Sequence, residues 1–133
     1  MQYVDIDADD QKLIDEAIAV IKKNYAEPRH TVGAAVLCSS GKVYTGVNIE
    51  SCGYGPCAEP IAIGSAISQG ERGIVSIVAV GVSGDSYPVM SPCGNCRQLL
   101  FDYAPDCMVI MPHNDKTVKV RARELIPNAF SNF

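Results

Sequence analysis

The 133-residue sequence lacks any run of lysine or arginine, and its formal net charge is −4. Proteins that grip DNA or RNA normally present a basic face, so this charge balance argues against a polynucleotide substrate. The sequence also lacks an apolar run long enough to span a bilayer, and its first residues show no signal-peptide pattern. These absences predict a cytoplasmic protein without a nucleic-acid or membrane partner.

Hydrophobic residues make up 47% of the chain and charged residues 20%, which is an ordinary globular balance. We expect one domain over residues 1–133, because this length suffices for a single core. Six cysteines could form three disulfides, but such a framework is typical of shorter secreted proteins with little core. Cys38 and Cys107 lie in apolar, strand-like runs, so we expect them to be buried. The role of Cys52, in a glycine-rich segment, stays open.

Hydrophobic periodicity predicts alternating helices and strands along the chain. The first helix is predicted over 9–25, capped by Asp7 or Asp9. The next helices are predicted over 57–69 and from a Ser91 cap to about Tyr103. The predicted strands cover 31–37, 42–48, 74–82, 107–111 and 117–120. This order predicts an α/β fold with parallel crossovers and helices on the faces of the sheet.

Three cysteines and a glutamate form the most specific pattern in the chain. Cys57-Ala58-Glu59 is followed by Pro92-Cys93-Gly94-Asn95-Cys96, with Cys93 34 residues after Glu59. Zinc prefers thiolate ligands, and two cysteines three apart lie on one helical face. Structural zinc sites are closed by four protein ligands, whereas catalytic sites keep one position for water. Three sulfur ligands without an obvious fourth therefore predict a catalytic zinc site formed by Cys57, Cys93 and Cys96.

Glu59 lies two residues past a predicted ligand, a position suited to moving protons on water. Cys-x-Glu followed by Pro-Cys-x-x-Cys is typical of zinc-dependent nucleobase deaminases. In such chemistry zinc lowers the pKa of water toward about 7, and hydroxide adds to the amino-bearing ring carbon. We expect Glu59 to carry the water proton to the adjacent ring nitrogen and later to protonate the leaving ammonia. The alternative is a first-turn glutamate that only favours the helix dipole.

The charge of the predicted zinc centre suggests further roles for its neighbours. Three thiolates around zinc leave a net charge of about −1, and we expect Arg97 to offset it by donating hydrogen bonds to a sulfur. A solvated Arg97 is the alternative. Both ligand segments are predicted to begin helices, whose free N–H groups lower the pKa of a thiol.

With these motifs, the chain resembles the cytidine deaminase family, including its blasticidin S deaminase branch, over most of its length. Segments 31–35, 46–50 and 124–130 are also similar to family motifs. The resemblance implies a three-layer α/β/α fold with a five-stranded mixed sheet, one zinc ion per subunit, and a homotetramer with shared active sites. It also implies a small-molecule nucleoside substrate, with ribose hydroxyls on Asn48 and Glu50 and further substrate contacts from His30, Ala58 and Phe130.

Three features depart from the cytidine deaminase pattern. Pro60 stands where these enzymes usually have an arginine, so one partner that neutralises the thiolates is missing. His30 stands where they usually have a phenylalanine against the base. The short loop ending Gly55-Pro56-Cys57 is similar to that of some blasticidin S deaminases, and it leaves room for the bulky peptidyl arm of that antibiotic.

Three functions therefore stay open. The first is deamination of cytidine or 2′-deoxycytidine, and the second is deamination of blasticidin S. The third is a non-catalytic binding module stabilised by zinc, with His30 or His113 as the fourth ligand. Closed sites of that kind tend to use a second Cys-x-x-Cys pair, which is absent here.

Overall fold

The computed structural model describes residues 1–133, which form a mixed β-sheet with helices on both faces. The helices are α1 (Ala8–Asn24), α2 (Ala58–Ser68) and α3 (Gly94–Tyr103), and a 3-10 turn covers Ala122–Leu125. The strands are β1 (Val4–Asp5), β2 (Gly33–Cys38), β3 (Val43–Val47), β4 (Ile74–Val80), β5 (Val89–Met90), β6 (Met108–His113) and β7 (Lys116–Arg121). None of the helices combines the length and the apolar character needed to cross a bilayer.

Five long strands form the body of the sheet, in the order β7-β6-β4-β2-β3. β1 extends the β7 edge and β5 pairs with the end of β4, so the sheet has seven strands where five were predicted. The two additional strands have two residues each, which is too short for an alternating pattern to reveal them in the sequence.

The strand directions confirm the predicted crossovers. β2 pairs antiparallel with both β3 and β4, so β3 and β4 run in the same direction on either side of it. β4 and β6 pair directly in parallel. The connections β3-α2-β4 and β4-α3-β6 are therefore parallel crossovers, and each brings a helix across the sheet.

Helix α1 covers one face of the sheet. Its apolar stripe packs against side chains of β2, β4 and β6, and the cluster consists of Leu13, Ile14, Ala17, Ile21, Ala35, Val78, Val80 and Ile110. The helix begins at a capping box in which Asp7 accepts from the backbone N–H of Asp10 and Asp10 accepts from that of Asp7, each at 3.0 Å. Asp7, one of the two predicted caps, is thus the N-cap.

Helices α2 and α3 cover the opposite face. Alternate residues of β2, namely Ala34, Val36 and Cys38, point into this second core. Cys38 and Cys107 are buried there, as predicted, and all six cysteines are free. A Cβ at Gly46 would lie 2.6 Å from the backbone nitrogen of Ala62, so β3 accepts α2 at this distance only because it has glycine there. This close approach helps to set the position of α2.

Helix α3 begins later than the sequence predicted. Its N-cap is Cys93 and its first helical residue is Gly94, whereas Ser91 was predicted as the cap. The Ser91 hydroxyl accepts a hydrogen bond from Arg97, and so does the Pro92 carbonyl, and the backbone of Cys93 is extended. Arg97, in the first turns of α3, thus binds the Ser91 oxygen that would otherwise accept from the backbone N–H groups at the helix start.

Candidate active site

The starts of α2 and α3 bring the three predicted ligands together. Cys57 is the N-cap of α2, Cys93 is the N-cap of α3, and Cys96 lies in the first turn of α3. The sulfur of Cys93 lies 3.4 Å from that of Cys57 and 3.4 Å from that of Cys96, and all three lie within 4.8 Å of one another. Tetrahedral zinc with bonds of about 2.3 Å needs sulfurs about 3.8 Å apart, so the cluster fits a zinc ion.

Neither histidine joins this cluster. The Nδ1 atom of His30 makes a hydrogen bond of 2.8 Å with the backbone carbonyl of Asn48. His113, at the end of β6, stacks on Tyr3 with ring centroids 3.8 Å apart. The hypothesis of a closed structural site therefore lacks the fourth ligand that it requires, and the three-sulfur set keeps the open character of a catalytic site.

Glu59 lies beside the cysteine cluster in the first turn of α2, and its side chain is buried, with 6% of its surface exposed. Burial raises the pKa of this carboxyl, and hydrogen bonds from its own backbone N–H and from Cys96 oppose the shift. A carboxyl with a raised pKa beside a cluster of predicted metal ligands is suited to exchanging protons with a reacting group.

The three thiols differ in acidity. Burial raises the pKa of Cys57 above the ordinary value of 9.0 and raises that of Cys96 well above it. Burial acts in the same direction on Cys93, but hydrogen bonds from the backbone N–H of Cys96 and from the neighbouring thiols outweigh it and lower the pKa. The predicted acidifying effect of the helix starts therefore holds for Cys93 alone, because desolvation dominates at the other two.

Arg97 does not contact a sulfur, contrary to the prediction. Its Nε donates to the Pro92 carbonyl at 2.8 Å, and its two terminal nitrogens donate to the Leu125 carbonyl at 3.1 Å and to the Ser91 hydroxyl at 2.9 Å. The hydroxyl and carbonyl oxygens around the guanidinium offer stronger acceptors than thiol sulfur, which explains the difference.

The three-cysteine cluster lies at a cleft of about 240 Å³. Its walls come from the segment before β2, the β3-α2 loop, the start of α2 and the turn after β5; the lining residues are Thr31, Val32, Asn48, Glu50, Gly55, Pro56, Cys57, Ala58, Glu59, Ala79, Met90, Ser91 and Cys93. Met90 was not predicted to line the cleft. Its position directly before the Ser91-Pro92-Cys93 motif could have indicated that it lies near the metal ligands. Gly81 accommodates it, because a Cβ there would lie 2.8 Å from the Met90 sulfur.

Asn48 and Glu50 both reach the cleft, but Asn48 is also held by the protein. Its Oδ1 accepts from the backbone N–H groups of Thr31 at 2.8 Å and Val32 at 3.0 Å. Its Nδ2 donates to a Glu50 carboxylate oxygen at 3.0 Å and to the Arg29 carbonyl at 3.4 Å. Asn48 is 6% exposed, so its side chain is buried in the wall of the cleft. It therefore orients Glu50 and fixes the segment before β2.

The remaining predicted substrate contacts divide into two groups. Ala58 lines the cleft and is fully buried beside Cys57. His30 and Phe130 do not line the cleft of their own chain. Phe130 is 76% exposed, and its backbone carbonyl accepts a hydrogen bond of 2.9 Å from Gln98 on α3.

Known proteins match this chain along nearly its whole length. Residues 7–111 match the family model of the cytidine and deoxycytidylate deaminase zinc-binding region. The chain is 41% identical over 134 residues to the blasticidin-S deaminase of Bacillus cereus, with 96% of each chain covered. It is 38% identical over 128 residues to the cytidine deaminase of Halalkalibacterium halodurans, covering 92% of this chain and 95% of that one. The crystal structure of the cytidine deaminase from Burkholderia pseudomallei matches with a TM-score of 0.76 and 33% identity, over 90% of this chain and 98% of that one.

The matches and the geometry agree on one chemistry. The matching region is a zinc-binding region, and the chain brings three cysteine sulfurs together as zinc ligands. Relatives named for two different substrates match the chain to a similar degree, so the comparisons define the reaction class and leave the substrate open. The chain therefore belongs to the cytidine deaminase family and is a zinc-dependent hydrolase that acts on a C–N bond.

Proposed function

We propose that the protein is a single catalytic domain over residues 1–133 that hydrolytically deaminates cytidine or 2′-deoxycytidine to the corresponding uridine and ammonia. The observation that carries the proposal is the cleft in which a buried glutamate, Glu59, meets the three-cysteine cluster while Glu50 lies in the same wall. This arrangement offers a proton shuttle at the metal and a hydrogen-bond acceptor for a sugar. A cytoplasmic location stays a prediction.

The residues of the cleft divide the chemistry between them. Zinc, when held by Cys57, Cys93 and Cys96, supplies a Lewis acid that lowers the pKa of water toward neutrality. Glu59 would take one proton from the attacking water and pass it to the ring nitrogen beside the amino-bearing carbon, while the water oxygen bonds to that carbon. The same carboxyl would then carry the proton of the new hydroxyl group to the amino nitrogen, so that the C–N bond breaks, a C=O bond forms and ammonia leaves. Burial raises the pKa of Glu59, which helps the carboxyl to hold a proton between the two transfers.

The sugar end of the cleft is assigned to Asn48 and Glu50. The Glu50 carboxylate accepts from Asn48 through one oxygen and has further lone pairs for sugar hydroxyls. Asn48 contributes by holding that carboxylate in place, since its own amide already bonds to protein atoms. We expect Glu50 to favour nucleosides over the free base, because the free base has no sugar hydroxyls to donate, and a hydrogen bond to a charged group contributes about 1.5–3 kcal/mol.

Blasticidin S is the second candidate substrate. It is a cytosine nucleoside with a bulky peptidyl arm, and the chain is 41% identical to the Bacillus cereus blasticidin-S deaminase. The loop residues 51–55 are all exposed, and a shallow depression lined by Arg29, Glu50, Ser51 and Cys52 adjoins the cleft at Glu50. This open side leaves space for such an arm.

A parallel assay of cytidine, 2′-deoxycytidine and blasticidin S separates the candidates. The loss of ultraviolet absorbance is followed with protein whose zinc content has been measured. We expect kcat/KM for one of the first two substrates to exceed that for blasticidin S by at least about tenfold, equivalent to 1.4 kcal/mol. The reverse order would establish the second candidate. No turnover of any of the three by zinc-loaded protein would overturn both.

We also infer that the protein is a homotetramer with shared active sites. An apolar groove runs between the outer sides of α2 and α3; its lining includes Tyr54, Pro60, Ile63, Gly64, Ile67, Leu99 and Tyr103. Tyr54 is 74% exposed and Tyr103 is 59% exposed, so the groove presents aromatic surface that a neighbouring subunit would bury. The exposed Phe130 is then free to contact the nucleoside in a neighbour's cleft.

Mass measurement in solution and a chain truncated before Phe130 test this arrangement. We expect a tetramer for the full chain, and a KM of the truncated chain several-fold higher with kcat little changed. A monomeric full-length chain would contradict the tetramer. A truncated chain with the same number of subunits and the same kinetics would show that Phe130 does not contact substrate.

A further inference from the structure

Arg97 joins the metal-binding turn, defined here as residues 91–96, to a distant part of the chain. Two of its hydrogen bonds hold the chain just before Cys93, at the Pro92 carbonyl and the Ser91 hydroxyl. Its backbone N–H donates to the Cys93 carbonyl at 2.9 Å. One residue, directly after the ligand Cys96, therefore bonds to three consecutive residues at the other end of the turn.

The third side-chain bond of Arg97 anchors the turn to the core. Its acceptor is the carbonyl of Leu125, the last residue of the 3-10 turn Ala122–Leu125. The Leu125 side chain is 5% exposed and belongs to the core on the α2 and α3 side of the sheet. The guanidinium thus connects a loop that bears a metal ligand to a turn that packing already holds.

The next residue of α3 extends this connection to the C-terminal segment. Gln98 donates through Nε2 to the Phe130 carbonyl at 2.9 Å and to Asp102 at 3.2 Å. The two residues that follow the ligand Cys96 therefore both contact the end of the chain.

From this geometry we propose that Arg97 is a positioning residue that holds Cys93 and Cys96 in their ligating arrangement. Its planar guanidinium sends three donors in fixed directions to three oxygens, which a lysine ammonium on a flexible stem cannot reproduce. The alternative role, in which Arg97 supplies only a positive charge near the thiolates, needs no such directions. The inference depends on the metal site and not on which nucleoside is deaminated.

Substitution of Arg97 by Lys and by Gln separates the two roles. The matched control is Arg72→Gln, because Arg72 is an exposed arginine whose guanidinium donates to the Ile67 and Glu71 carbonyls, outside both the metal-binding turn and the 3-10 turn that anchors Arg97. The full-length zinc-loaded proteins are mixed with excess chelator, and the rate of zinc release is recorded together with the melting temperature of each protein after zinc removal. We expect both Arg97 variants to release zinc about 10–100-fold faster than the parent chain, and the control to match it.

The outcomes decide between positioning and charge. Fast release from Arg97→Gln with near-parent release from Arg97→Lys would overturn the proposal in favour of a charge role. Parent-like release from both variants would also overturn it, whatever their melting temperatures. If neither variant folds, Ser91→Ala removes one acceptor only, and we expect zinc release several-fold faster at an unchanged melting temperature. Unchanged release from Ser91→Ala would then overturn the proposal. The zinc readout needs no substrate, so it stands or falls separately from the proposed nucleoside activity.

Discussion

The N-cap of α1 is an aspartate, Asp7, that satisfies a backbone N–H group, whereas the N-caps of α2 and α3 are cysteines that belong to the three-sulfur cluster. The Asp7 cap of α1 forms a capping box with Asp10, and Lys119 lies 2.7 Å from Asp10. Cys57 makes no side-chain capping bond at α2, whereas the Cys93 sulfur caps α3 by accepting from the Cys96 backbone N–H at 3.5 Å and also lies within 3.4 Å of the other two sulfurs. The N-cap position therefore serves stability on one face of the sheet and metal binding on the other.

The packing of the two faces follows the same division. α1 lies along the sheet through an aliphatic stripe that contains no catalytic group. α2 and α3 pack through small and apolar residues, with Glu59 and Cys96 buried at their first turns. The N-cap sulfurs of α2 and α3 keep lone pairs for a metal ion, whereas the carboxylate of Asp7 at α1 is engaged by Asp10 and Lys119. Four substitutions test whether the two kinds of helix start have these separate roles.

Replacing Cys96 by Ala should abolish both zinc binding and activity, because two sulfurs remain where three are needed for the site. Metal content by atomic spectroscopy and turnover are the measurements. Cys107→Ala is the matched control, since Cys107 is also buried but lies away from the cluster. A Cys96→Ala protein that keeps stoichiometric zinc would remove Cys96 from the ligand set.

Replacing Glu59 by Gln should lower kcat by at least about 100-fold while zinc stays bound, because the proton shuttle is lost and the ligands are not. The measurements are kcat and the zinc content of the same preparation. Glu71→Gln serves as the control, since the Glu71 carboxylate accepts hydrogen bonds from Ser40 and Tyr44 and does not line the cleft. Near-normal turnover by Glu59→Gln would reduce Glu59 to a first-turn residue that acts on the helix dipole.

Replacing Glu50 by Ala should lower kcat/KM for cytidine by about tenfold, mainly through KM, because a charged hydrogen-bond acceptor at the sugar is lost. Activity on free cytosine should not change. Glu50 lies in the β3-α2 loop, so this variant tests whether residues outside the helix starts also contribute to substrate binding. An equal effect on nucleoside and base would show that Glu50 does not bind the sugar.

Replacing Asp7 by Ala should lower the melting temperature and leave zinc release and kinetics unchanged, because the α1 cap lies on the other face. The backbone N–H of Asp10 lowers the pKa of Asp7 from its ordinary value of 3.8, and Lys119 acts in the same direction. The stabilisation is therefore complete above pH 3.8 and is lost as the pH falls through the lowered value. Melting curves across this range test the sign. Altered kinetics in the Asp7→Ala protein would contradict the claim that the α1 cap contributes only to stability.

The fold was largely predictable because its signals are local. The apolar stripe of α1, the hairpin of β2 and β3, and the apolar run of β4 each lie within one short segment, and the structure has all three. Two features escaped prediction for the opposite reason. The two-residue strands β1 and β5 form by pairing with β7 and β4, and two residues carry no periodicity of their own.

The ligand set could be predicted from the sequence alone. Two cysteines three apart on a helix start, with a third cysteine two residues before a glutamate, restrict the chemistry wherever the segments lie. The groups that support this set depend on the packing of distant segments. Arg97 bonds to Leu125, 28 residues away, and Asn48 bonds to Thr31, 17 residues away, and each choice depends on which carbonyl or N–H group the packed chain presents. The raised pKa values of Cys57 and Cys96 also depend on burial by neighbouring segments, which no spacing within a motif measures, whereas the lowered pKa of Cys93 comes in part from the Cys96 N–H inside the motif.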